Sequence, residues 1–235
     1  MISSVWDTVR PVPQWTSSGS GAGWADLTEQ TAADTFRRGW QTRTPTSIGR
    51  CAPSAAWRDL PAYDRELLQN IGASQWQVTR EALGGVVDDL LRSAGLAGLR
   101  QRDVRSLDDA AGVWIQELRL VLVNAGHHAL AELDDATYEA MLARIAWHEW
   151  AHALSVVRAT ADDVANGERL LDLAPAGVAN VIRRGGYRRS EYTHELVAEI
   201  HALLMSRRRR GQRGQPSWLG DEIYDLVRRV SGWSE

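Results

Sequence analysis

His148-Glu149-Trp150-Ala151-His152, inside the run DDATYEAMLARIAWHEWAHALSVVR from Asp134 to Arg158, is the stretch that decides the fold. Tyr138, Met141, Leu142, Ile145 and Ala146 recur at helical spacing, and Asp134-Asp135 precede them as an N-cap, so the run predicts one helix reaching about Arg158. Residues four apart on a helix stand one above the other on the same face. Both imidazoles of the motif therefore reach one point in space, and the Glu between them stands beside it. Two neutral nitrogens and an adjacent carboxylate match Zn²⁺ ligation with a base for the water it carries. With 6 His in 235 residues, an accidental H-E-x-x-H arises at roughly the one-in-a-hundred level, so the motif is worth following outward.

Upstream, VWIQELRLVLV (113–123) alternates, with Val113, Ile115, Glu117, Arg119, Val121 and Val123 on one face and Trp114, Gln116, Leu118, Leu120 and Leu122 on the other. Period two with β-branched residues predicts a strand, ended by Asn124-Ala125-Gly126. From Pro61 to about Leu99 the spacing of Leu67, Leu68, Ile71, Trp76, Val78, Leu83, Val86, Val87, Leu90 and Leu91 predicts helix, with Gly84-Gly85 a kink or division. Residues 1–60, rich in Ser, Gly, Pro and Trp near the start and broken by Pro45, Gly49 and Pro53 later, predict a poorly ordered or draped arm with one short helix near 26–40. Downstream, a polar loop (160–167) leads to helices at 168–184 and 190–209, a linker at 211–217 and a closing helix at 218–230. Three parts follow: the arm (1–60), a helical segment (61–110) and a core (111–235). The expected class is α+β and predominantly helical.

Bulk properties narrow the function. A net charge of −3 and a pI near 6.1 argue against nucleic acid or an anionic membrane as partner. All 27 basic residues are Arg, a bias that speaks to charge and solubility rather than to a site. Cys51 is the only cysteine, which excludes an intrachain disulfide and a Cys-based zinc cluster. No basic-then-apolar leader opens the chain and no run approaches the length of a membrane span, so the cytoplasm is the expected address.

A catalytic zinc site uses three protein ligands and a water. The downstream run EYTHELVAEIHALLM supplies His194, Glu195, Glu199 and His201, and Glu195 and Glu199 share a helix face, so one could bind metal while the other supports it. The metzincin pattern needs glycine at 155 and histidine at 158; Ser155 and Arg158 exclude it.

An H-E-x-x-H helix followed by a second helix bearing E-x-x-x-E resembles the gluzincin metallopeptidases. The run Glu195-Leu196-Val197-Ala198-Glu199, with Leu203-Leu204-Met205 after it, is further similar to the small ImmA/IrrE-type members, although Glu199 replaces their usual Asn and His201 an aromatic. The resemblance covers roughly residues 113–206. It implies His148, His152 and Glu195 as zinc ligands, Glu149 as general base and Glu199 as hydrogen-bond partner of a ligand histidine. It also implies a zincin-like core whose small sheet has an edge strand preceding the motif helix, able to hold a substrate backbone. Gluzincins often stabilise the oxyanion with a Tyr or His from outside the metal motif; Tyr187 and Tyr192 are available, and Tyr192 is nominated.

The expected function is a zinc-dependent peptidase acting on a protein or peptide partner. The alternatives are a catalytically silent binding or regulatory protein of the same fold, and a zinc hydrolase of a small molecule or peptide natural product. Oligomeric state is left open. His127-His128 read as polar loop, and Arg207 to Arg210 with Arg213 as cations favouring a helix C-terminus. Arg50-Cys51-Ala52-Pro53 has a distant likeness to the latency segment of matrix metalloproteinase pro-forms, and an unligated thiol is the expected reading.

Overall fold

The computed structural model describes residues 48–49, 55–78, 83–93 and 110–232. In chain order the elements are β1 (Ile48–Gly49), α1 (Ala55–Asp59), α2 (Ala62–Asn70), β2 (Ser74–Val78), α3 (Gly84–Ser93), β3 (Gly112–Ile115), β4 (Leu120–Asn124), α4 (Asp135–Arg158), α5 (Ala161–Ala165), α6 (Gly167–Leu173), α7 (Ala176–Arg184), α8 (Tyr192–Arg209) and α9 (Asp221–Ser231). The described residues are α+β and mostly helical, with one mixed sheet among them in the order β1-β2-β4-β3. Cys51 and nearly all of the expected arm lie outside the described residues.

Two sequence expectations are corrected. Residues 74–78 were expected to be helical; they form β2, which pairs parallel with β4 from Ser74↔Leu120 to Val78↔Asn124. Trp76 and Val78 are buried, but strand pairing overrides their chance helical spacing. The sheet thereby joins the 61–110 segment to the core. Residues 113–123 are likewise not one strand. A 3₁₀ turn at Gln116–Leu118 and a left-handed Arg119 (φ 49°) fold them into the β3/β4 hairpin, with Val113↔Leu122 and Ile115↔Leu120 as partners. The reversal changes which side chains share a face: Val113 and Ile115 lie with Leu118, Leu120 and Leu122, whereas Trp114 lies with Val121 and Val123. Arg119 is held in place by donating through Nη1 to the Ile71 carbonyl at 2.9 Å.

The sheet separates two cores. Leu83, with Val86, Val87, Leu90 and Leu91 of the α3 that follows it, packs on the face bearing Val113, Ile115, Leu120 and Leu122. α4 packs on the other face with Trp114, Val121 and Val123, and α8 packs in turn on α4. β3 is an edge strand, but β4, which directly precedes α4 in the chain, lies inside the sheet.

α4 begins as expected: Asp134 accepts from the Thr137 amide at 3.0 Å and its hydroxyl at 2.7 Å. The helix is 24 residues long, about 36 Å at 1.5 Å per residue. Its two tryptophans anchor the face away from the histidines. Trp147 Nε1 donates to the Ala56 carbonyl and Trp150 Nε1 to Gln75 Oε1, each at 2.9 Å. The expected polar loop at 160–167 contains α5, closed by a Thr160/Asp163 capping box. The expected helix at 168–184 is interrupted at Ala174-Pro175, because the residue before a proline is driven to extended backbone (Ala174 ψ 157°).

Candidate metal centre

Three residues from two antiparallel helices converge. His148 and His152 stand on one face of α4, one turn apart, and bring their Nε2 atoms to 2.9 Å. On the facing helix, Glu195 places Oε2 3.8 Å from His148 Nε2 and Oε1 3.6 Å from His152 Nε2. Four-coordinate zinc, with bonds of about 2.0–2.1 Å, spaces its ligand atoms about 3.3 Å apart. The observed separations bracket that value.

Burial sharpens the point. Neither oxygen of Glu195 makes a hydrogen bond, although the side chain is 1% exposed, and His152 Nδ1 is also buried without a partner. An isolated buried carboxylate is costly unless a cation or donors compensate it. Burial pushes the Glu195 carboxyl well up, and the nearby Glu149 and Glu199 add to the shift. The Tyr187 hydroxyl opposes it, lying close to the carboxylate but outside hydrogen-bonding geometry. Burial also lowers both histidines, His152 furthest with help from His148 and His194. They are thereby neutral near pH 7, the form that ligates metal. Among the described residues, His148, His152 and Glu195 form a cluster able to hold an ion.

Glu199 sits behind this triad. Its Oε1 lies 3.5 Å from His148 Nδ1, the ring nitrogen turned away from Glu195. Its other oxygen faces Arg144 Nη2 at 3.7 Å. The two acids one helical turn apart on α8 thus meet opposite nitrogens of the same imidazole.

Glu149 is 7% exposed, and burial pushes its carboxyl up to about 8 against a lowering hydrogen bond from the Trp114 amide. Strand register aims that amide at the carboxylate. The Asn124 N–H bonds to the Ala111 carbonyl at 2.8 Å, so the bonded antiparallel pairs are Val113–Leu122 and Ile115–Leu120. Gly112 and Trp114 therefore turn their backbone groups away from β4, alongside Glu149. Gly112 is required for that approach: a β-carbon there would stand 2.6 Å from Ile145 Cγ2 and 2.9 Å from Glu149 Cγ.

Comparison with protein-family models, curated proteins and solved structures returns no match.

Of the two tyrosines, Tyr187 is the one beside the carboxylates, buried and influenced by Glu195, Glu199 and Glu149 together. Tyr192 opens α8, half-buried, with its β-carbon against Gly167. His194 joins α4 instead through Ser155, Oγ to Nδ1 at 2.7 Å, and His201 Nδ1 faces the Trp147 carbonyl at 3.1 Å. His127 caps the short turn after β4 by accepting from the Ala129 amide, in keeping with a loop role. Arg158, where a metzincin would carry its third histidine, pairs with buried Asp64 at 2.8 Å and donates to the Val230 carbonyl at 2.9 Å. Sequence reasoning passed over Gly112, the Trp114 amide and Arg144. An arginine one turn before His148 was an available signal; Gly112, just before the expected strand, offered none.

No helix among the described residues is long and apolar enough to cross a membrane.

Proposed function

We propose that the chain is a zinc-dependent peptidase of the gluzincin type, with a zincin-like core formed by the sheet, α4 and α8. The observation that carries this reading is the convergence of two neutral imidazoles on a buried carboxylate whose oxygens have no hydrogen bonds, with a second carboxylate, Glu149, beside them. His148, His152 and Glu195 would hold the ion. Zinc in such a site supplies Lewis acidity, polarising a carbonyl and acidifying a water near neutral pH.

The chain's own groups account for the rest. Glu149, drawn by a cation in the triad back below the value of about 8 that burial alone gives its carboxyl, is ionised; it accepts a proton from the attacking water and returns it to the leaving amine. The Trp114 amide fixes one end of that carboxylate. Tyr187, beside Glu195, is placed to donate to the oxygen that gains charge. An extended peptide laid along β3 meets the outward backbone of Gly112 and the Trp114 carbonyl, which would present its scissile bond to Glu149 by strand addition. The substrate class is a protein or peptide.

The test combines metal analysis with cleavage. Purified protein is assayed for zinc and incubated with a random-sequence peptide library, with and without chelator, beside Glu149→Gln. Stoichiometric zinc with cleavage lost in both controls supports the proposal. Zinc without cleavage in any arm overturns the peptidase reading and leaves a metal-holding binding protein.

A further inference from the structure

Arg144, His148 and His152 occupy successive turns of one stripe on α4, and Glu195 and Glu199 occupy successive turns of the stripe facing them on α8. The two stripes interlock as a ladder: Arg144 faces Glu199, Glu199 faces His148, and Glu195 faces both His148 and His152. Within it Glu199 divides its two oxygens, Oε2 toward the guanidinium at 3.7 Å and Oε1 toward His148 Nδ1 at 3.5 Å. The side chains of Arg144 and Glu199 are 16% and 7% exposed, so water screens their attraction little.

We infer that Arg144 is a positioning residue of the metal centre, acting through Glu199 to hold the His148 ring with Nε2 turned toward Glu195. This rests on the metal-centre reading above.

The physical reason lies in what Glu199 would do without the guanidinium. A carboxylate with one fixed side rotates about its terminal bond, and a broad two-fold torsion offers little resistance. Engaged by Arg144 on Oε2, it has one oxygen left and one direction to offer it, toward Nδ1. That oxygen then selects the tautomer carrying a proton on Nδ1, which frees Nε2 as a ligand. An arginine suits the position because its planar fork keeps charge when buried and presents a fixed edge. Burial lowers the affinity of Arg144 for its proton, and the Glu199 carboxylate opposes that lowering in part.

The experiment measures zinc affinity by competition with a chelating indicator, with the unfolding temperature of chelator-treated protein as control. The variants are Arg144→Met, Arg144→Lys, Glu199→Gln and the double variant Arg144→Met/Glu199→Gln. Removing a group that orients a ligand typically weakens metal binding ten- to a hundred-fold. Arg144→Met is expected to fall by about ten-fold or more, Arg144→Lys by less, and the double variant no further than Glu199→Gln alone. Affinity unchanged in Arg144→Met, or losses that add independently in the double variant, overturns the inference. Should Arg144→Met fail to fold, Arg144→Lys alone and combined with Glu199→Gln gives the same cycle. A wild type that takes up no zinc refutes the metal-centre reading itself, whereas a wild type that binds zinc no more tightly than Arg144→Met refutes only the role of Arg144.

Discussion

Removing the charge of Glu149 should stabilise the metal-free protein, and should do so increasingly with pH. In the fold its carboxyl titrates near 8, because burial opposes ionisation; its ordinary value is 4.5. Below pH 4.5 folded and unfolded chains are both protonated, and the group costs nothing. Between the two values the unfolded chain ionises while the folded one holds its proton, so stability falls by about 1.4 kcal/mol per pH step. At pH 7 the loss is about 3 kcal/mol, and above pH 8 it levels near 5 kcal/mol. Glu149→Gln keeps the shape and an oxygen for the Trp114 amide but carries no charge, so it escapes this loss. The assay is guanidinium unfolding in excess chelator at pH 5, 6, 7, 8 and 9, followed by the fluorescence of the 11 tryptophans. The variant should approach wild-type stability at the acid end, exceed it by an amount growing through pH 7, and reach a constant margin above pH 8. A margin independent of pH, or a variant less stable than wild type at pH 8, would refute the placement of Glu149 in a desolvated site.

Gly112→Ala forces a β-carbon to within 2.6 Å of Ile145 Cγ2 and 2.9 Å of Glu149 Cγ. A loss of about 1–3 kcal/mol is expected in denaturant unfolding, and peptide cleavage should fall while zinc uptake is retained. Glu195→Ala should abolish zinc uptake, and Glu199→Ala should weaken it without abolishing it. The reverse order in an equilibrium dialysis measurement would exchange their roles. In the wild type, zinc at about a thousand times its dissociation constant should raise unfolding free energy by about 4 kcal/mol, a gain absent from Glu195→Ala. Away from the centre, burial pushes the Asp64 carboxyl up to about 6 despite its bond to Arg158. A raised acid favours the folded state below its unfolded value and loses that advantage as pH rises. Asp64→Asn should therefore gain on wild type between about pH 4 and pH 6 and show a flat difference above, read from unfolding curves across that range.

What was legible in the chain was whatever one helix writes locally. The four-residue spacing of His148 and His152 places them on one face by helix geometry alone, and Asp134 caps its own helix through Thr137 three residues on. The pairing of Glu195 with Glu199 follows in the same way. The strand errors arose where the deciding partner is distant. Ser74–Val78 is a strand because β4, more than forty residues on, bonds to it. The hairpin at 113–123 was hidden because alternation survives a four-residue reversal, while the face each residue occupies does not. Gly112 stands just outside the expected strand, and nothing local marks the close approach of Ile145 and Glu149 to it.

By itself the sequence determined a capped amphipathic helix carrying two imidazoles and an acid, a later helix carrying two more acids, and the exclusion of a metzincin third ligand at Arg158. Only the tertiary structure decided which acid meets which nitrogen: Glu195 the Nε2 pair, Glu199 the Nδ1 of His148. Likewise only the packing chose Tyr187 as the tyrosine beside the carboxylates and turned the Trp114 amide toward Glu149. Spacing along a helix sets which side chains share a face. The register between two helices, and between a helix and a sheet edge, is set by packing across residues far apart in the chain, and no local pattern records it.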